Sequence, residues 1–195
     1  ISAGEAVMPY AKLLGSQRSG TEIFCAESIS AINRELFTHG CYIGGINQYY
    51  LPKTPYRSGA RAEGYSLRVF EGDEIKELYS CEGFSNALLY RSEGVRRDIL
   101  AVCAVNGRRI MGIAGASNDS PAMAQIGIDV LPEFRGMGVG AALVSACAGE
   151  LLASGYVPYY GTWCGNVISQ RLAKCGFVPA WCEMYSAMIV KNNEK

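Results

Sequence analysis

The stretch "VLPEFRGMGVGAALVSACAG", residues 130–149, decides the fold. It sets Gly136, Gly138 and Gly140 directly before a run of helical periodicity. Val139, Leu143, Cys147 and Leu151 recur there on one face. Glycine in a helix interior is about 1 kcal/mol worse than alanine, so glycines crowded at a helix start serve another purpose. A helix start leaves its first N–H groups unpaired and carries partial positive charge. Glycines ahead of it keep side chains out of a ligand's way. The combination reads as a phosphate cradle.

Working outward, "AQIGIDV" just upstream is a strand, the third in a row after "DILAVCAV" and "RRIMGIAGA". Asn106-Gly107 predicts a type I′ hairpin between the first two, with positive φ at both residues. "SNDSPA" turns the chain into the third. Downstream, Gly155 ends the helix and "YVPYYGTW" is a strand, parallel to "AQIGIDV" because a helix crosses between them. Ile168, Leu172 and Cys175 mark a short helix ended at Gly176, and "FVPAWCEMYSAMI" closes with one or two strands. Toward the start, "YSLRVFE" is a strand, and Asp73 caps a helix carrying Ile75, Leu78 and Tyr79. Residues 41–51 are strand-like, and Ser19 with Glu22 makes a capping box for a helix bearing Ile29, Ile32 and Leu36. The fold class is mixed α/β: a central mixed sheet, antiparallel meander first and parallel strands after, flanked by helices. "LPKTPYRSGARAEG", residues 51–64, is a loop or boundary. We therefore expect an N-terminal segment over 1–62, a helix plus strand readable as the remnant of an upstream half-domain, and the main domain over 63–195. The chain begins at Ile1 rather than Met, so sequence upstream is expected to be missing.

Composition narrows the partners. Lys plus Arg and Asp plus Glu are 18 each, so the broad basic field that nucleic acid or an anionic membrane requires is missing. The longest uncharged run, residues 136–149, is too short and glycine-rich to span a bilayer. Eight cysteines include no C-x-x-C pair, and with one histidine, His39, no metal site is expected. Most cysteines fall on predicted core faces, which favours free thiols in a reducing cytoplasm. His39 and Cys164 read as structural, and the arginine pairs 96–97 and 108–109 as hairpin surface, with an arginine there also within reach of a ribose phosphate.

Three phosphate cradles compete. The P-loop fails because no lysine follows the glycines. Gly136, Gly138 and Ala141 fit the dinucleotide pattern G-x-G-x-x-[GA], yet residues 132–135 separate strand from helix and the next strand lacks a ribose-binding acid. The third fits: Arg135-x-x-Gly138-x-Gly140 after "IDVLPEF" resembles the coenzyme A loop of the GNAT superfamily of acyl-CoA N-acyltransferases, over residues 130–140. "GNVISQRLAKCGF" resembles the same family's N-x-x-[AS]…GF segment, with Asn166, Ser169, Gly176 and Phe177 in matching places. The resemblance covers about residues 97 to 190, and the wording "MAQIGIDVLPEFRG", "VPYYGTW" and "GFVPAW" is similar to a bacterial branch of GNAT-like acetyltransferases.

That resemblance implies two parallel strands splayed around the coenzyme's arm. Residues Arg135, Gly136, Met137, Gly138, Val139, Gly140 and Ala141 would hold the diphosphate. Backbone groups near Ile128 and Val130, with Asn166 and Ser169, would hold the arm. Pro158, unable to donate a ladder bond, suits the splay. Plainer roles stand beside these: Arg135 as a solvated charge, and Asn166 as an N-cap with Ser169 at N3. The implied function is an acetyl-CoA-dependent N-acetyltransferase acting directly on a primary amine of a small molecule or peptide. The alternative is a catalytically degenerate acyl-CoA-binding regulatory module, because Ala124 and Gln125 stand where the family has a glutamate and Leu172 where it has a tyrosine. Asp129, Glu183 and Tyr185 are the substitute candidates for acid and base. The apolar strand "YSAMIV" hints at a homodimer.

Overall fold

The computed structural model describes residues 2–57 and 64–189, so the expected domain edge at residue 62 lies outside the described residues. The chain divides into two compact units, Ile1–Ile46 with Glu183–Lys195, and Asn47–Cys182.

The smaller unit opens with two helices, α1 (Met8–Gln17) and α2 (Ala26–Thr38). The capping box forms as expected: Ser19 N–H donates to Glu22 Oε2 at 2.7 Å and Glu22 N–H to Ser19 Oγ at 3.3 Å. It closes a short 3-10 turn, Glu22–Phe24, and α2 starts only after Cys25. Sequence reading missed α1, which buries Ala11 alone and so shows little apolar periodicity. The unit also holds the first half of strand β1 (Cys41–Pro52) and the second half of β7 (Phe177–Met188). Asn33 Oδ1 accepts the Ile43 N–H at 2.8 Å and ties α2 to β1.

In the larger unit β2 (Ser66–Glu71), β3 (Asp98–Asn106), β4 (Arg109–Asn118), β5 (Met123–Val130) and β6 (Val157–Trp163) join β1 and β7. The sheet order is β2-β3-β4-β5-β6-β1-β7. Pairing is antiparallel from β2 to β5, parallel between β5 and β6, and antiparallel between β6 and β1. Helix α3 (Val139–Ala153) makes the crossover, and α4 (Val167–Ala173) follows β6. The β3–β4 hairpin forms with a different turn. Asn106 pairs with Arg109, so the central residues are Gly107 and Arg108. Gly107 alone is left-handed, at φ 61°, which is the type II′ requirement.

Strand β3 is buried on both faces, which explains its unbroken apolar run. Val102 and Ala104 pack with Ala114, Ile126, Leu143 and Cys147 on the α3 side. Ala101 and Cys103 pack with Phe70, Ile75, Leu78, Phe84 and Leu88 on the other. The second layer is held very close. Gly115 and Gly127 face each other across β4 and β5, and a Cβ on either would lie 2.1 Å from Ala87 O or 2.0 Å from Asn86 O. Two bare backbones thus let the 84–88 loop rest directly on the sheet.

Two expectations need correction. Asp73 caps nothing: residues Gly72–Ser80 form 3-10 turns without a side-chain cap, and Asp73 instead pairs with Lys76 at 2.7 Å. The cysteines are mostly outside the core. Only Cys103 and Cys147 are buried, whereas Cys164, Cys175 and Cys182 are exposed, Cys164 and Cys182 on stretches whose neighbouring residues are largely exposed as well. Burial pushes the Cys103 thiol up to about 12. An unfolded thiol ionises near pH 8.5, so the folded state holds a proton that the unfolded state has lost. The stability Cys103 contributes is complete below that pH and disappears as pH rises toward 12. Thermal melts from pH 8 to 11 should show a steeper fall for the wild type than for Cys103→Ala.

Candidate active site

Strands β5 and β6 pair over four positions, from Met123↔Val157 to Ile126↔Tyr160. Beyond these they follow different neighbours. β5 continues along β4 to Gly112↔Val130, and β6 continues along β1 to Asn47↔Trp163. The strands part at Gly127 and Gly161, and a cleft of about 940 Å³ opens between them. Pro158 does not cause this, contrary to expectation: it sits inside the paired region opposite Ala124. Val157 donates its N–H to Ala122 O at 2.8 Å, so alternation aims Pro158's missing donor away from β5.

Alternation also decides what the cleft offers. Leu131 N–H donates to Met111 O at 2.9 Å. The backbone polar groups of Val130 and Ile128 therefore point the other way, into the gap left by β6. Val130 O is taken by Arg135 Nε at 2.9 Å, which folds the residue 131–135 turn back onto its strand. Arg135 thus has a structural bond as well as a place on the cleft wall.

The start of α3 opens on the same cleft. Gly136 and Gly138 both sit at φ 78°, a left-handed conformation strained for side-chain-bearing residues. A Cβ at either would meet nothing within 4 Å, so the requirement is conformational and the space beside them is open. Gly138 is the N-cap and caps no donor. The first intrahelical bond runs from Ala142 N–H to Gly138 O at 3.1 Å, which leaves Val139, Gly140 and Ala141 with outward N–H groups. Uncapped donors on a helix start suit a diphosphate. Ile128, Val130, Arg135, Gly136, Gly138, Val139, Gly140, Ala141, Asn166 and Ser169 all line the cleft. Met137 does not, and its side chain is exposed.

On α4 the capping role of Asn166 is realised: its Oδ1 accepts the Ser169 N–H at 3.1 Å. Ser169 Oγ lies 2.8 Å from the hydroxyl of Tyr160, a residue sequence reading passed over. Tyr160 is buried. Burial pushes its phenol up, against the opposing pull of the Ser169 bond, so it stays protonated and can donate. Its phase along β6, two residues from Pro158 and Thr162, was the available signal. Ile168, expected on the apolar face of α4, is exposed instead, with Ala173 taking the buried position.

The three acid–base candidates fare differently. Asp129 lines the cleft, yet its carboxylate accepts Asn86 N–H at 2.7 Å, Asn86 Nδ2 at 2.7 Å and Ala87 N–H at 2.9 Å. Three charge-assisted bonds fill most of its lone-pair sites, so it clamps the 84–88 loop. Tyr185 and Glu183 belong to the smaller unit. The Tyr185 ring covers two glycines, where a Cβ on Gly44 or Gly45 would come within 2.9 or 2.7 Å of it. Glu183 is exposed on β7. Gln125, at the family's glutamate place, lines the cleft with Oε1 3.4 Å from the Tyr159 hydroxyl and Arg96 Nη2.

A parallel strand pair parted beside an uncapped, glycine-led helix start makes a cleft suited to a phosphate-bearing ligand in an α/β fold. Residues 66–177 match the Acetyltransferase (GNAT) family, and the chain belongs to it. Solved structures agree in fold. A GCN5-related N-acetyltransferase from Kribbella flavida is 15% identical, with TM-score 0.61 over 86% of this chain and 67% of its own. One from Sphaerobacter thermophilus is 17% identical, with TM-score 0.60 over 84% and 57%. A GNAT-family protein from Novosphingobium aromaticivorans is 18% identical, with TM-score 0.57 over 75% and 66%. The chain thus spans about two thirds or less of the length of these relatives. No curated protein matches it significantly. Among the described residues no helix is long and apolar enough to cross a membrane.

Proposed function

We propose that the chain transfers the acetyl group of acetyl-CoA directly to a primary amine of a small molecule or peptide. The observation that carries this reading is the coincidence of the parted β5–β6 strands with the uncapped start of α3 on one cleft. Acetyl-CoA, when bound, supplies an acyl group activated as a thioester. The N–H groups of residues 136–141 bind its diphosphate, helped by the α3 dipole. The Ile128 and Val130 backbone, with the Asn166 amide, orients the arm. A backbone N–H of the parted β5 segment polarises the thioester carbonyl. Tyr160 donates to Ser169 Oγ and so would turn the serine hydroxyl toward the cleft, where it would pass a proton to the departing sulfur and regain one through Tyr160, balanced by the proton the acylated nitrogen releases to water. This pair takes the place of the tyrosine missing at Leu172. Asp129 positions the 84–88 loop; Glu183 and Tyr185 receive no proton role. The eight free thiols suit a reducing cytoplasm.

Gln125 and Leu172, unable to act as base or acid, favour a second reading: a module that binds acyl-CoA without turnover. Release of free thiol from acetyl-CoA with a broad amine panel separates the two. The enzyme reading expects amine-dependent release, lowered about tenfold in kcat by Tyr160→Phe with acetyl-CoA Kd little changed. Tight binding without release on any amine supports the module. Absence of acetyl-CoA binding at millimolar dose overturns both.

A further inference from the structure

Next to the coenzyme cleft lies a cluster of rings and oxygens that this mechanism leaves unused. The register places Gln125 beside Tyr159, Tyr49 beside Gly161 and Asn47 beside Trp163. Side chains of directly paired residues share a face, so these six lie on one face of the sheet, with Tyr160 and Thr162 on the other. Tyr49 and Trp181 stack at 4.9 Å and 14°, and Tyr159 tilts against them at 6.0 and 6.1 Å. A Cβ on Gly161 would sit 2.7 Å from Tyr49 Cε1, so the glycine lets that ring lie flat over the strand. Both tryptophans of the chain are exposed, Trp163 at 59% and Trp181 at 39%. Gln125, Gly161 and Trp163 also line the coenzyme cleft, so the patch and the cleft share a floor.

Several polar groups around this patch are already paired, and Asn47 Nδ2 donates to the Tyr49 hydroxyl at 3.5 Å. Asn47 Oδ1 is buried and has no hydrogen-bond partner among the described residues. The Tyr159 hydroxyl already donates to Asp119. The guanidinium on this face, Arg96, is committed: its Nε is 2.5 Å from Asp119 Oδ1 and its Nη2 3.4 Å from Gln125 Oε1. Arg96 is held there at φ 60°, a conformation a side-chain-bearing residue adopts only when its surroundings impose it. Exposed ring faces attract an ammonium. With Arg96 neutralised by Asp119, the face provides poorly for an acceptor's carboxylate.

Resting on the acetyl-transfer reading, we propose that this face is the acceptor site and that the acceptor is a primary alkylamine on an aromatic or apolar body without a carboxylate. The body packs on the exposed Trp181 ring. The ammonium is received by the exposed ring faces, and the amine enters the cleft past Gln125.

The test compares 2-phenylethylamine, phenylalanine and butylamine as acceptors, with wild type, Trp181→Leu and Trp181→Phe. Phenylethylamine should exceed phenylalanine by about 30-fold in kcat/KM and exceed butylamine as well. Trp181→Leu should raise its KM about tenfold, Trp181→Phe less than about threefold, and neither should move acetyl-CoA Kd. Equal use of phenylalanine, or a KM indifferent to Trp181→Leu, overturns the proposal. If no amine releases thiol, equilibrium dialysis of 2-phenylethylamine against protein saturated with coenzyme A decides. Retention weakened by Trp181→Leu supports the site, and no retention overturns it. Failure of acetyl-CoA itself to bind overturns the cleft reading and this proposal together.

Discussion

Gly127→Ala is expected to destabilise the larger unit by about 4 kcal/mol, read as a shifted midpoint in urea denaturation. The new methyl would stand 2.0 Å from Asn86 O, a backbone atom that no side-chain rotation can move. To make room, the 84–88 loop must lift from the sheet, and its three bonds to Asp129 weaken as it does. Bonds to a charged group contribute about 1.5–3 kcal/mol each, so partial loss of them accounts for most of the expected effect. Phe84 and Leu88, buried in the second core layer, would move with the loop. A loss under about 1 kcal/mol would mean that the loop settles elsewhere at little cost, and the close backbone approach would lose its meaning.

Gly138→Val is expected to weaken acetyl-CoA binding about a hundredfold, measured by isothermal titration. Here no clash is involved, since a Cβ at this position meets nothing within 4 Å. The penalty is the φ of 78°, which a β-branched residue resists. Relaxing it re-aims the first N–H groups of α3, and losing one or two bonds to a diphosphate gives the expected drop. Gly149→Ala in the same helix is the control. Its methyl would make ordinary contact with Tyr56 at 3.9 Å, so helix propensity should add about 0.5–1 kcal/mol of stability and leave binding alone. Equal affinities for Gly138→Val and wild type would sink the cradle.

The legible parts of the sequence were those governed by local rules. The β3–β4–β5 meander, the α3 face and the Asn166 cap follow from apolar runs, a turn glycine and capping spacing, each set by residues near in sequence. The cleft-lining residues at the start of α3 stood out because motif and helix start coincide. What escaped depends on partners far along the chain. Asp129 looked like a catalytic carboxylate because nothing in "AQIGIDV" announces the loop 43 residues upstream that it holds. Tyr160 looked like one more strand residue until α4 brought Ser169 to it. Pro158 was assigned the parting of the strands on sound grounds, yet its missing N–H points toward β1, whose ladder begins only at Tyr160. Type II′ rather than I′ at Gly107 is a shift of register by one residue, beyond what a dipeptide signal fixes.

The parting of β5 from β6 gives this sheet a rim in its middle. Over residues 127–130, β5 has a neighbour on one side only, the condition that elsewhere invites stray chains to add on. Because β6 pairs with β1 from Tyr160 onward, this rim lies between two paired strands rather than at an outer border. Unpaired backbone donors and acceptors that most sheets carry at their borders are kept here at the centre.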